Sequence, residues 1–171
     1  MIPPFDSRGL LPASPHGEGY RCTLDEIRQR LVLDLGSPAW RVELFAGLEK
    51  LTGMVWSMVP SAWWWLWGCF VSNHPEPLFG DLEVITAVVV VPVEDLPVRR
   101  EHGEMLLHYI QGAEQTCRVD CAFVFEFPAG HELRLETVDA LEMKYRDRAT
   151  SGVTDHGTRE LVPAGFLEVR P

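Results

Sequence analysis

Residues 82–93, LEVITAVVVVPV, are almost continuously apolar and β-branched, the pattern of a central strand covered on both faces. Pro92 and Pro97 close the run, because proline cannot donate to a sheet ladder. The remaining segments must therefore supply neighbouring strands and a covering layer.

They do so in an order that the local signals make legible. CTLDEIRQRL places Thr23 as an N-cap with Glu26 three residues on, a capping box that predicts a helix from Leu24 to about Asp34, stopped by Gly36. Ser37 as N-cap and Pro38 at the first helical position open a second helix, with Leu44, Leu48, Leu51 and Val55 on one face. The aromatic run AWWWLWGCF, bounded by Pro60 and Gly68, reads as a strand. A helix over 98–111, a strand over 118–127, a helix over about 133–146 and a final short strand, GFLEV, follow. The class is α+β, a small mixed central sheet with helices packed on it.

From Leu51 to Pro75 there is no Asp, Glu, Lys or Arg, which is length enough for a membrane span. Pro60 would break a continuous helix near its middle, so the stretch reads as a helix end, a turn and a buried strand. The N-terminus lacks a basic segment followed by an apolar one, which leads to the expectation of a cytoplasmic protein without a membrane partner.

The formal net charge of −10 opposes stable DNA or RNA binding, which needs a basic surface to neutralise phosphates. The four cysteines, Cys22, Cys69, Cys117 and Cys121, are too few and too loosely spaced for a disulfide framework. Cys117 and Cys121 lie near a strand, where positions four apart are roughly 13 Å from each other, too far for one ion.

The chemistry-bearing stretch is LWGCFVSNHPEPLFGDLEV, residues 66–84. In extended chain Asp81 and Glu83 project to one side, roughly 7 Å apart, so a hard cation can sit between their oxygens. Mg²⁺ takes one or two carboxylates together with water and substrate phosphates. Asp120, at the start of VDCAFVFEF, is the best placed third carboxylate, with Glu126 as the fallback. Gly68 and Cys69 leave backbone amides open to a phosphate. The plainer reading makes Asp81 and Glu83 the solvated end of a buried strand and Gly68 a simple turn.

Other residues carry less. His102 and His108 lie six apart on different faces of a helix, the consecutive tryptophans must face both sides of a strand, and GVTDHG, residues 152–157, reads as an exposed loop.

Residues 67–84 resemble the signature of the DNA polymerase beta-like nucleotidyltransferase superfamily: hydrophobic, Gly, small residue, loop, then acidic, hydrophobic, acidic, hydrophobic. Here these are Trp67, Gly68, Cys69, a loop over 70–80, Asp81, Leu82, Glu83 and Val84. The opening IPPFDSRGLLPASPHG, the helical TLDEIRQRLV, the GCFVSNHPEP turn and the late YRDRATSG further resemble an uncharacterised bacterial domain family of that superfamily's minimal type. Its members commonly begin PFDxRGLLPxGxH and carry GSFVTxKxxPxDID.

The resemblance implies an extended N-terminal arm over residues 1–22 and a single nucleotidyltransferase-like domain over 23–171. It implies Asp81, Glu83 and Asp120 as catalytic residues and Mg²⁺ ligands, Gly68 and Cys69 as the nucleotide phosphate turn, and NTP as substrate. The implied activity is transfer of NMP to a protein or small-molecule acceptor, with a toxin partner in a toxin-antitoxin or defence module among the acceptors the resemblance suggests. Cys69 replaces the usual Ser, Glu83 the usual Asp, and Asn73 and His74 stand where Lys is common. The alternative is a catalytically degenerate fold acting as a binding or interaction protein.

Overall fold

The β-branched run forms β3 (Ile85–Pro92), paired on both edges within a five-stranded sheet. The structure, a computed structural model, describes residues 1–14, 18–75, 84–95, 100–134, 150–153 and 159–171. In chain order the elements are β1 (Tyr20–Cys22), α1 (Leu24–Ile27) continuing into a π-helical segment (Arg28–Leu33), α2 (Ala39–Met58), β2 (Trp63–Trp67) and β3. Then come α3 (Arg100–Gln111), α4 (Ala113–Cys117), β4 (Val119–Glu126), a helical turn α5 (Glu132–Arg134), β5 (Thr150–Val153), β6 (Arg159–Pro163) and β7 (Leu167–Val169).

The sheet order is β1-β7-β2-β3-β4. β1 and β7 are parallel, as are β3 and β4, while β2 runs antiparallel to both β7 and β3. The sheet is therefore mixed, and β5 with β6 forms a separate two-stranded sheet. The fold is α+β.

Alternation along the strands divides the sheet into two buried faces. Trp64, Leu66, Ile85, Ala87, Val89, Val91, Leu167 and Val169 pack with the helices, against Leu44, Leu48, Leu51 and Val55 of α2 and Leu106 and Ile110 of α3. Each such aliphatic side chain contributes about 1.5–3 kcal/mol relative to exposure. Trp63, Trp65, Val88, Val90 and Val124 form a second cluster on the other face. The tryptophan run thus splits between faces, as a strand demands. α2 ends at Met58, before Pro60, and among the described residues no helix is long and apolar enough to cross a membrane.

Thr23 caps α1 as its sequence predicts: its hydroxyl accepts from the Glu26 amide, and the Glu26 carboxylate accepts from the Thr23 amide. The continuation is π-helical rather than α. Ser37 does not cap α2; it sits at φ 53, and its amide donates to the Val32 carbonyl to close the preceding segment, leaving Pro38 as the residue before the helix. GVTDHG is only partly loop, since Gly152 and Val153 belong to β5; residues 154–158 lie outside the described residues, as does the expected helix beyond Arg134.

The N-terminal segment is built around Asp6. Its carboxylate accepts from the Arg8 and Leu10 amides and from the Arg8 guanidinium. Burial pushes the carboxyl up, but the bonds from Arg8 and Leu10 outweigh it and leave the pKa lowered. Leu10 and Leu11 are buried, Leu10 bridges Ser72, and the Asn73 amide donates to the Gly9 carbonyl. The PFDSRGLLP stretch therefore docks on the loop that follows β2. Asp6→Ala is expected to cost about 1–2 kcal/mol at neutral pH, the range for a lost charge-assisted cap. A carboxyl with a lowered folded-state pKa contributes above its unfolded value and loses that contribution as pH falls through the folded one. Melting curves of wild type and variant should therefore converge on acidification; a gap that persists unchanged would show that Asp6 acts through shape alone.

Candidate functional site

The antiparallel β2–β3 pair and the parallel β3–β4 pair bring the C-terminal end of β2 beside the N-terminal ends of β3 and β4. The register aligns Trp67 with Thr86, and Thr86 with Asp120. Adjacent strands are about 4.8 Å apart, so Trp67 and Asp120 lie roughly 10 Å from each other across the sheet. These three positions share the face that carries Val88, Val90 and Val124.

Gly68 ends β2 at φ 90 and ψ −166, a backbone conformation that side chains with a Cβ rarely adopt. The chain then enters a single 3-10 turn, Cys69–Val71, in which the Val71 amide donates to the Gly68 carbonyl. The Ser72 hydroxyl donates to the Cys69 carbonyl at 2.7 Å. Cys69 is half-buried.

Asp120 lies one residue into β4 and is exposed, and its carboxylate has no hydrogen bond or ion pair among the described residues. Glu126 pairs with Pro92 at the opposite end of β4, roughly 20 Å from Asp120 at strand rise. Of the two alternatives for a third carboxylate, only Asp120 shares an end of the sheet with the Gly68 turn. Asp81 and Glu83 lie outside the described residues. The described chain resumes at Val84, directly before β3, where the Ile85 amide donates to the Arg118 carbonyl. Among the described residues no group of three His, Cys, Asp or Glu side chains could hold a metal ion. The donors at this end, the Asp120 carboxylate and the Thr86 hydroxyl, are oxygen ligands of the kind that hard cations take.

Sequence reasoning passed over the residue that fixes the turn. Arg41 is fully buried. One guanidinium nitrogen donates to the Leu31 and Phe70 carbonyls, the other to those of Ser72 and His74 at 2.7 and 3.1 Å. The guanidinium also stacks over Trp40 at 4.3 Å, whose indole donates to the Pro75 carbonyl. The N-terminal turn of α2 thus grips the backbone from 70 to 75. Burial pulls the Arg41 pKa down to about 10, with nearby Cys69 acting the other way, so the group stays charged at neutral pH. Burial and then the Arg41 charge lower the His74 pKa, which leaves that ring neutral at pH 7. The signal was present in the sequence: Arg41 precedes Leu44, Leu48, Leu51 and Val55 at helical spacing, a charge on an apolar stripe.

No curated protein and no solved structure matches the chain. A family model matches residues 3–170, nearly the whole length, and the chain belongs to that family, the family of unknown function DUF6932.

Proposed function

We propose that the protein is a Mg²⁺-dependent nucleotidyltransferase that moves a nucleoside monophosphate from NTP to an acceptor: an acceptor oxygen bonds to the α-phosphorus as the α–β phosphoanhydride bond breaks and pyrophosphate leaves. One observation carries the reading: the Gly68 turn and Asp120 lie at the same end of the sheet, the end at which β3 begins. Asp81, Glu83 and Asp120 would hold the metal, which supplies charge neutralisation for the triphosphate and for the attacking oxygen. Backbone amides of the Gly68–Cys69 turn would face phosphate oxygens, and Arg41 would hold that turn in shape. The acidic chain, with its net charge of −10, favours a protein or small-molecule hydroxyl as acceptor over DNA or RNA. A toxin partner in a toxin-antitoxin or defence module fits the same chemistry.

Thermal melting with Mg²⁺ and each of the four NTPs tests this. A ligand at 100 times its dissociation constant stabilises by about 2.7 kcal/mol, a rise of about 5–11 °C for a chain of this size. Wild type should show that rise with at least one NTP, and Asp81→Ala and Asp120→Ala should each abolish it. No rise with any nucleotide would remove the enzyme and leave a fold that serves as a binding module.

A further inference from the structure

The residue between the Gly68 turn and Asp120 is Thr86, and it stands out within its own strand. β3 reads ITAVVVVP, and on the face of Thr86 the next residues are Val88 and Val90, both fully buried. Valine has the same shape as threonine and equal aptitude for a strand, so packing does not account for the hydroxyl. Thr86 is half-buried, and its hydroxyl makes no hydrogen bond among the described residues. A Cβ placed on Gly68 would lie 3.5 Å from Thr86 Oγ1, so the glycine and the hydroxyl are direct neighbours and a side chain at 68 would lie against it. Across the strand pair its register partner is Asp120, whose carboxylate also lacks a described partner. A donor beside a glycine turn, next to a carboxylate that repels anions unless a cation intervenes, has the layout of a contact to metal-bound phosphate.

We propose that Thr86 is a substrate-positioning residue whose hydroxyl donates to a phosphate oxygen of the Mg²⁺-bound nucleotide in the Gly68 turn. The inference rests on the nucleotide reading above and adds a residue that the acidic motif does not contain.

The test compares Thr86→Val, which keeps the shape and removes the donor, with Thr86→Ser, which keeps the donor. Dissociation constants are measured by calorimetry for wild type and both variants with Mg²⁺–NTP and, separately, with Mg²⁺ and inorganic tripolyphosphate. The expected result is binding weakened about tenfold or more in Thr86→Val with both ligands, the range for a lost bond to a charged group, and near wild-type binding in Thr86→Ser. Melting without ligand should be the same in all three proteins; if Thr86→Val proves misfolded because its methyl meets a polar neighbour, Thr86→Ala removes the donor without putting an apolar group in its place. Wild-type affinity in the hydroxyl-free variants overturns the assignment of Thr86 and leaves the nucleotide reading standing. A loss confined to NTP and absent with tripolyphosphate overturns the phosphate contact. Absence of binding in wild type itself overturns both.

Discussion

Arg41→Leu is expected to be among the most destabilising single substitutions in this chain, at about 4 kcal/mol. The change removes the donors to four backbone carbonyls, those of Leu31, Phe70, Ser72 and His74. A buried acceptor left without a partner costs about 1–3 kcal/mol, and the four losses do not add fully because the loop can relax toward water. Leucine recovers part of the deficit by filling apolar volume. The net corresponds to a fall in melting temperature of about 8–16 °C. Lysine at 41 keeps the charge but not the planar fork, and its three donors on one nitrogen cannot reach four diverging carbonyls; it should recover only part of the loss. The readout particular to this role is hydrogen exchange: amides over 69–75 should lose protection more than those of β3, since the bonds removed end on that loop. Uniform loss of protection would show that Arg41 supports the core at large and has no special hold on the turn.

How far the sequence revealed this molecule depends on which interaction set each element. β2, β3, β4, α2 and α3 were legible because apolar periodicity and proline placement specify them locally, and Leu44, Leu48, Leu51 and Val55 are buried as their spacing predicts. The three-residue β1 was not legible, because YRC has no alternation long enough to read and owes its conformation to pairing with β7, far along the chain. α4 was missed for a related reason: AEQTC is a single short turn whose burial comes from contact with α2.

The candidate site divides along the same line. The Gly68 turn and Asp120 were each visible as residue types, but their meeting is a consequence of register, which no local pattern states. Arg41 and Thr86 were overlooked because their importance lies in what surrounds them: a ring of carbonyls in one case, an absent Cβ in the other. The N-terminal PFDSRGLLP and the GCFVSNHP turn, the two motifs that carry the family resemblance, looked independent in sequence. In the fold they touch, through Leu10 with Ser72 and Gly9 with Asn73, so both serve to set the loop beside the site.

Asp120 depends in turn on a close helix approach, and this gives a prediction whose sign can be set within a single helix. α2 carries two glycines, Gly47 and Gly53. A methyl at Gly53 would meet nothing within 4 Å, so Gly53→Ala should stabilise by about 0.5–1 kcal/mol, the ordinary gain in helix propensity. A methyl at Gly47 would run into the Cys117 carbonyl at the end of α4, and backbone cannot step aside as a flexible side chain does. The clash exceeds the same propensity gain, and Gly47→Ala should destabilise by about 3 kcal/mol, a drop of about 6–12 °C against a rise of a few degrees for its neighbour. The effect should reach the site. Arg118, directly after Cys117, sits at φ 55, pairs with Glu43 of α2 at 2.8 Å and accepts from the Ile85 amide, so pushing α4 away from α2 shifts the start of β4 relative to β3. Gly47→Ala should therefore weaken any Mg²⁺–NTP stabilisation beyond what its lower melting point accounts for, whereas Gly53→Ala should leave it intact. Equal nucleotide responses in the two variants would show that the position of Asp120 is set within the sheet and not by the helices behind it.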